Sequence, residues 1–262
     1  MNRTQVTAVI TRGLTKDYGY LGARGDEWWA EAASFVDVDE PAVIASRDAD
    51  GLRLLVSGIP SARRDSAHRR IRVTLVLAGD DRPDVLRTLV RTVLDDACRA
   101  DAGARLDAVL PESAVEELLG DRTRPIADLG DAVLDALAPS PSTPHSARRD
   151  LPHSWVGAVH DEESTGRFLG RFDALLAGEA DGYALATHQV VSAEGATRAA
   201  AALGTDTAVL TLSEHSTVTG VTRLGKAGRP DPVPATTRPT SKVLVAAAAL
   251  VLLVVAVVIW LR

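Results

Sequence analysis

Arg63, Arg64, His68, Arg69, Arg70 and Arg72 put five arginines and a histidine within ten residues, against the single acid Asp65. Guanidinium groups are planar donor forks that match carboxylate and phosphate geometry, so this island is the first candidate site, for an anionic ligand or partner. A solvated loop pairing with acids elsewhere in the chain would account for the same residues. Contact with anionic lipid headgroups is a third use of them.

A second candidate lies at Gly13, Gly19, Gly22 and Gly25, between an expected first strand and a helix that Asp26 would cap. Strand, glycine-rich loop and helix N-terminus can together cradle a phosphate, but the spacing G-x-x-G-x-x-G fits neither dinucleotide nor Walker fingerprints. An aspartate at the helix start would also repel an anion, so a glycine-permitted turn explains these residues better. The histidines His68, His145, His153, His160, His188 and His215 show no metal-ligand spacing. His160-Asp161-Glu162-Glu163 could support acid-base chemistry, yet an N-cap aspartate followed by first-turn glutamates is what a helix start requires. Ser213-Glu214-His215-Ser216 reads as a turn after the last strand, and no G-x-S-x-G elbow occurs. No cofactor or metal is implied.

The elements that must position these residues follow from periodicity. Thr4–Ile10 alternates as a strand, and residues 27–36 place Trp28, Ala32 and Phe35 on one helical face. Ala42–Ser46 and Leu52–Gly58 form a hairpin about Asp48-Ala49-Asp50-Gly51, and Ile71–Leu77 is a central strand reached through the polar loop 61–70. Pro83 opens an amphipathic helix whose apolar positions run from Leu86 to Ala97, with helices 112–119 and 126–137 behind it. Cys98, the sole cysteine, falls at the end of that stripe and is expected to be a buried structural thiol. The Pro/Ser-rich stretch 139–152 is a domain boundary or a long loop. Beyond it come strand 155–160, helix 162–177 ending at Gly178, strand 183–190, helix 193–203 and strand 207–212. Such alternation implies βαβ units, so the expected fold is α/β: a mixed sheet with flanking helices, an N-terminal hairpin part and a C-terminal βαβαβ part, in one composite domain over residues 1–225.

Residues 243–261, Val243 to Leu261, form an unbroken apolar run of nineteen residues that includes Leu250, Leu253 and Val257 and carries Trp260 near its end. At about 1.5 Å per residue the run spans a hydrocarbon core, so one C-terminal transmembrane helix is expected. The preceding linker 226–242 carries four prolines and the cations Lys226, Arg229, Arg238 and Lys242. It reads as an extended solvated spacer. Because only Arg262 follows the run, the positive-inside rule places the N-terminal domain in the cytoplasm, on a single-pass anchor in the cell membrane. The N-terminus has no apolar run of a signal peptide. Arginine and alanine richness fits a high-GC bacterial coding bias.

The whole chain carries −6; setting aside the net +4 of Lys226, Arg229, Asp231, Arg238, Lys242 and Arg262, the rest carries −10. Phosphate neutralisation dominates non-specific nucleic-acid binding, so an acidic domain is a poor general DNA or RNA binder. These features imply a tail-anchored cytosolic binding or signalling module, with the bilayer and a protein partner or small anionic ligand as partners. A membrane-anchored hydrolase or transferase using His160, Asp161 or the arginines is the first alternative, and an effector that perturbs the bilayer under control of a sensor domain is the second.

Overall fold

The computed structural model describes residues 2–22, 27–121, 123–138, 153–204 and 206–225. The linker 226–242 and the apolar run 243–261, with Val243, Leu250, Leu253, Val257 and Trp260, lie outside the described residues, as does the stretch 139–152. Among the described residues no helix is long and apolar enough to cross a membrane.

The α/β expectation holds: the described residues form a mixed nine-stranded sheet with helices on both faces. Its strands are β1 Gln5–Thr11, β2 Gly19–Tyr20, β3 Ala42–Asp48, β4 Gly51–Arg64, β5 Arg70–Ala78, β6 Trp155–Ala158, β7 Gly182–Thr187, β8 Thr207–Thr211 and β9 Thr222–Arg223. They lie in the order β2-β1-β5-β4-β3-β7-β8-β6-β9. The hairpin β3–β4 pairs Asp48 with Gly51, as the Asp-Ala-Asp-Gly turn predicts. β5, buried on both faces from Val73 to Leu77, sits between β1 and β4. β3 pairs antiparallel with β7, so strands from both sides of residues 139–152 share one sheet.

The helices are α1 Pro83–Leu94, α2 Asp96–Val109, α3 Glu112–Gly120, α4 Ala127–Ala136, α5 Glu162–Ala177 and α6 Ala193–Leu203. β6, β7 and β8 are parallel, but β8 inserts between β7 and β6. The chain thus crosses the sheet one way through α5 and returns the other way through α6. Right-handed crossovers in opposite directions must place their helices on opposite faces. Accordingly, Phe168 and Phe172 of α5 are buried in one core with α1, α2 and α4, whereas Ala196 and Ala199 of α6 are buried in another beneath a layer of Tyr18, Tyr20, Trp28, Trp29 and Tyr183.

Three local expectations require correction. The helix foreseen over 27–36 is a 3-10 helix, Ala30–Phe35, among the described residues. β4 continues through the region read as a polar loop, to Arg64. Lastly, the amphipathic helix does not continue to Cys98. The chain breaks at Asp95, whose carboxylate accepts the Cys98 amide at 2.9 Å and caps the separate helix α2. The apolar stripe of α1 loses its phase there, and Cys98 is exposed.

Candidate functional site

Beyond Ser57 and Thr74, β4 and β5 have outrun β3 and β1 and pair only with each other, forming a two-stranded ribbon closed by residues 65–69. Its turn is built around Asp65. That carboxylate accepts the amides of Ala67 at 2.9 Å and Arg69 at 2.8 Å and the Arg69 Nε at 2.8 Å, and Arg12 lies at 3.2 Å. Burial alone would raise the Asp65 carboxyl, but the hydrogen bonds from Arg69 and Ala67 outweigh it and hold it below the usual carboxylate range. His68 takes a left-handed backbone (φ 61°) and its carbonyl accepts Arg64 Nη1 at 2.8 Å. The ribbon is therefore a fixed platform.

The platform sorts the six predicted residues. Arg63 turns inward: only 9% of its side chain is exposed, and it donates to Ser61 Oγ at 3.0 Å and Thr11 Oγ1 at 3.2 Å, with Asp107 at 4.0 Å. Burial lowers its pKa, against the pull of Asp107, Glu112 and Glu116. Arg69 is shared with Asp65. Arg64, Arg70 and Arg72 come together. Arg64 and Arg70 are direct cross-strand partners and Arg72 lies two residues along β5, so all three share one ribbon face. Among the described residues the Arg70 and Arg72 guanidinium groups meet no acceptor and no carboxylate. Sequence reading missed Arg12, which stacks 5.5 Å over the Tyr18 ring and reaches Asp65 from the other side. The only signal was its place directly after β1.

The glycine loop carries its own anion. Glu116 of α3 accepts the Leu14 amide and sits 3.5 Å from Lys16, so a carboxylate already answers the loop's amide and cation; Gly25 and Asp26 lie outside the described residues.

A second constellation was not foreseen as one site. A crevice of about 650 Å³ opens beyond the carboxyl ends of β6, β7 and β8, lined by His160, His188 and His215, each following a different strand. Glu40, Asp96, Arg99 and Glu214 edge it, over Val93, Leu94, Val159 and Leu212. Burial pushes His188 below its ordinary value, Glu40 and Glu214 pull the other way, and Arg99 adds to the lowering. Asp161 does not share in it as a reactive group: it caps α5, accepting the Ser164 amide at 3.0 Å, as its sequence context predicts. Among the described residues no three His, Cys, Asp or Glu side chains converge to hold a metal ion.

In fold terms the protein is an α/β protein with a mixed sheet in which the three parallel strands β7, β8 and β6 lie between antiparallel neighbours, with a crevice beyond their carboxyl ends. No family model matches the sequence, and comparison with curated proteins and with solved structures gives no match.

Proposed function

We propose that the chain is a membrane-tethered cytosolic binding module that takes an anionic ligand or an acidic protein partner on the β4–β5 ribbon. One observation carries this reading: Arg64 and Arg70 are paired in register, with Arg72 beside them. Like charges directly opposite on a ribbon are about 5 Å apart at Cβ and destabilise it. The Asp65 turn holds that repulsion in place, and a bridging phosphate or carboxylate relieves it. An isolated ribbon selected for stability alone would carry an opposite charge or a β-branched residue there.

Arg70→Thr should therefore stabilise the unliganded protein, by roughly 0.2–1 kcal/mol, and weaken its binding of a polyanion such as tripolyphosphate. Loss of stability in this variant, or undiminished binding, would remove the ribbon from the account.

The apolar run 243–261 and the basic linker before it support the tether, on the cytoplasmic side. Deleting residues 243–261 is expected to move the protein from carbonate-washed membranes into the soluble fraction. A truncated chain that stays with the membranes would defeat that part of the proposal.

A further inference from the structure

The crevice lies outside the carboxyl ends of the parallel strands β6, β7 and β8, the end at which open α/β sheets bind ligands. In such folds the helices that start at the carboxyl ends of strands usually offer free amides to phosphate. Here those positions are taken. α5, after β6, begins with Asp161 accepting the Ser164 amide followed by Glu162 and Glu163, and α6, after β7, with Ser192 accepting the Gly195 amide at 3.1 Å before Glu194; α2, which follows α1 and brings Asp96 to the crevice, begins with Asp95 accepting the Cys98 amide. Each helix start is satisfied by the chain itself and carries at least one carboxylate. Asp96 at the α2 start lines the crevice together with Glu40 and Glu214, so the phosphates of an incoming nucleotide would meet carboxylates there.

The lining favours the opposite charge. Arg99, its one cation besides any protonated histidine, is held by Asp96 and by the Thr92 and Val93 carbonyls at 3.3 and 3.0 Å. The Glu40 and Glu214 carboxylates have no hydrogen bond or ion pair among the described residues. Glu40 is nonetheless fixed at its backbone, where its carbonyl accepts Ser57 Oγ at 2.8 Å. His160, Gln189, Ser213 and His215 supply hydrogen-bonding side chains, and the Val93, Leu94, Val159 and Leu212 side chains give an apolar floor.

We infer that this crevice is a binding site for a small organic cation, an alkyl amine or guanidinium whose charge sits between Glu40 and Glu214 and whose carbon chain lies on the apolar floor. The site goes beyond the ribbon proposed above and uses none of its residues.

Agmatine, which carries an amine and a guanidinium on one short alkyl chain, is the probe. Calorimetric titration of the full chain in detergent micelles should show saturable binding at one site, with ATP failing to compete. Glu40→Gln and Glu214→Gln keep side-chain shape and remove one charge each; each should weaken agmatine about tenfold, with an unchanged thermal unfolding profile showing that the fold is intact. Absence of saturable agmatine binding, wild-type affinity in either variant, or displacement of agmatine by ATP would each overturn the assignment.

Discussion

Arg47→Ala is expected to cost about 3 kcal/mol of stability at neutral pH, lowering the melting temperature by roughly 6–12 °C for a domain of this size. Arg47 sits on β3, beside the junction with β7, and reaches in two directions. One nitrogen donates to the Leu175 and Leu176 carbonyls at the C-terminal end of α5, at 2.9 and 3.4 Å, where the helix dipole favours a cation. Another pairs with Asp80 at 2.8 Å, and Asp80 is only 6% exposed. Asp80 in turn accepts the Asn2 amide at 2.7 Å, so the N-terminal strand, the β5–α1 connection and α5 meet on one guanidinium. Removing it leaves the buried Asp80 carboxylate without its cation, with only the Asn2 amide among the described residues to answer it, and strips the end of α5 of a charged donor.

The pH dependence has a definite sign. Burial alone would raise the Asp80 carboxyl, but Arg47 and the Asn2 amide hold it below the ordinary carboxylate value. A depressed carboxyl contributes stability that is present above its unfolded pKa of about 4 and is lost as the pH falls toward its folded value. Denaturant melts should therefore show the gap between wild type and Arg47→Ala narrowing below about pH 4. A gap that widens on acidification would mean Asp80 is not its main source.

Gly58→Ala carries the second large effect, also about 3 kcal/mol from backbone strain and overlap together. Gly58 has φ 72° at the register shift where β4 leaves β3, and an added Cβ would fall 2.3 Å from the Pro41 nitrogen and 2.4 Å from the Glu40 carbonyl carbon. Backbone atoms cannot move aside as a side chain tip would. The consequence extends to both sites: the bend at Gly58 launches the arginine ribbon, and the displaced segment carries Glu40 into the crevice. Gly204 offers the internal comparison, since its φ is 69° but nothing lies within 4 Å of an added Cβ. Gly204→Ala should cost only about 1–2 kcal/mol of left-handed strain. Equal losses at the two glycines, measured by urea unfolding, would show that crowding against residues 40 and 41 is not what makes Gly58 necessary.

These effects also show where sequence reading succeeds. The βαβαβ order was legible because β6, α5, β7, α6 and β8 each carry an unmixed period with local start and stop signals, such as Asp161 capping α5. The ribbon was read as a loop because arginines replace the alternation beyond Ser61. Its strand character comes from cross-strand pairing and from Asp65, whose partners include Arg12, 53 positions earlier in the chain. Arg63 looked equivalent to Arg64 in sequence, and only the bulge between Pro60 and Arg64 turns it inward.

The crevice was hidden for a different reason. His160, His188 and His215 are 28 and 27 residues apart, and nothing in that spacing marks a site. They converge because β8 inserts between β7 and β6, a matter of strand order. A rule was nevertheless at hand: in a βαβαβ unit, polar residues just after consecutive strands gather at one end of the sheet. All three histidines satisfy it.

The ribbon's in-register arginines are tested most directly by thermal unfolding of the full chain and of Arg70→Thr, each with and without tripolyphosphate at matched ionic strength. The predicted result is a reversal of order: the variant melts higher when unliganded, and the wild type melts higher with the polyanion bound. If the wild type is already the more stable protein without ligand, or if the polyanion shifts both equally, Arg64 and Arg70 are not an anion-binding pair and the account fails at its centre.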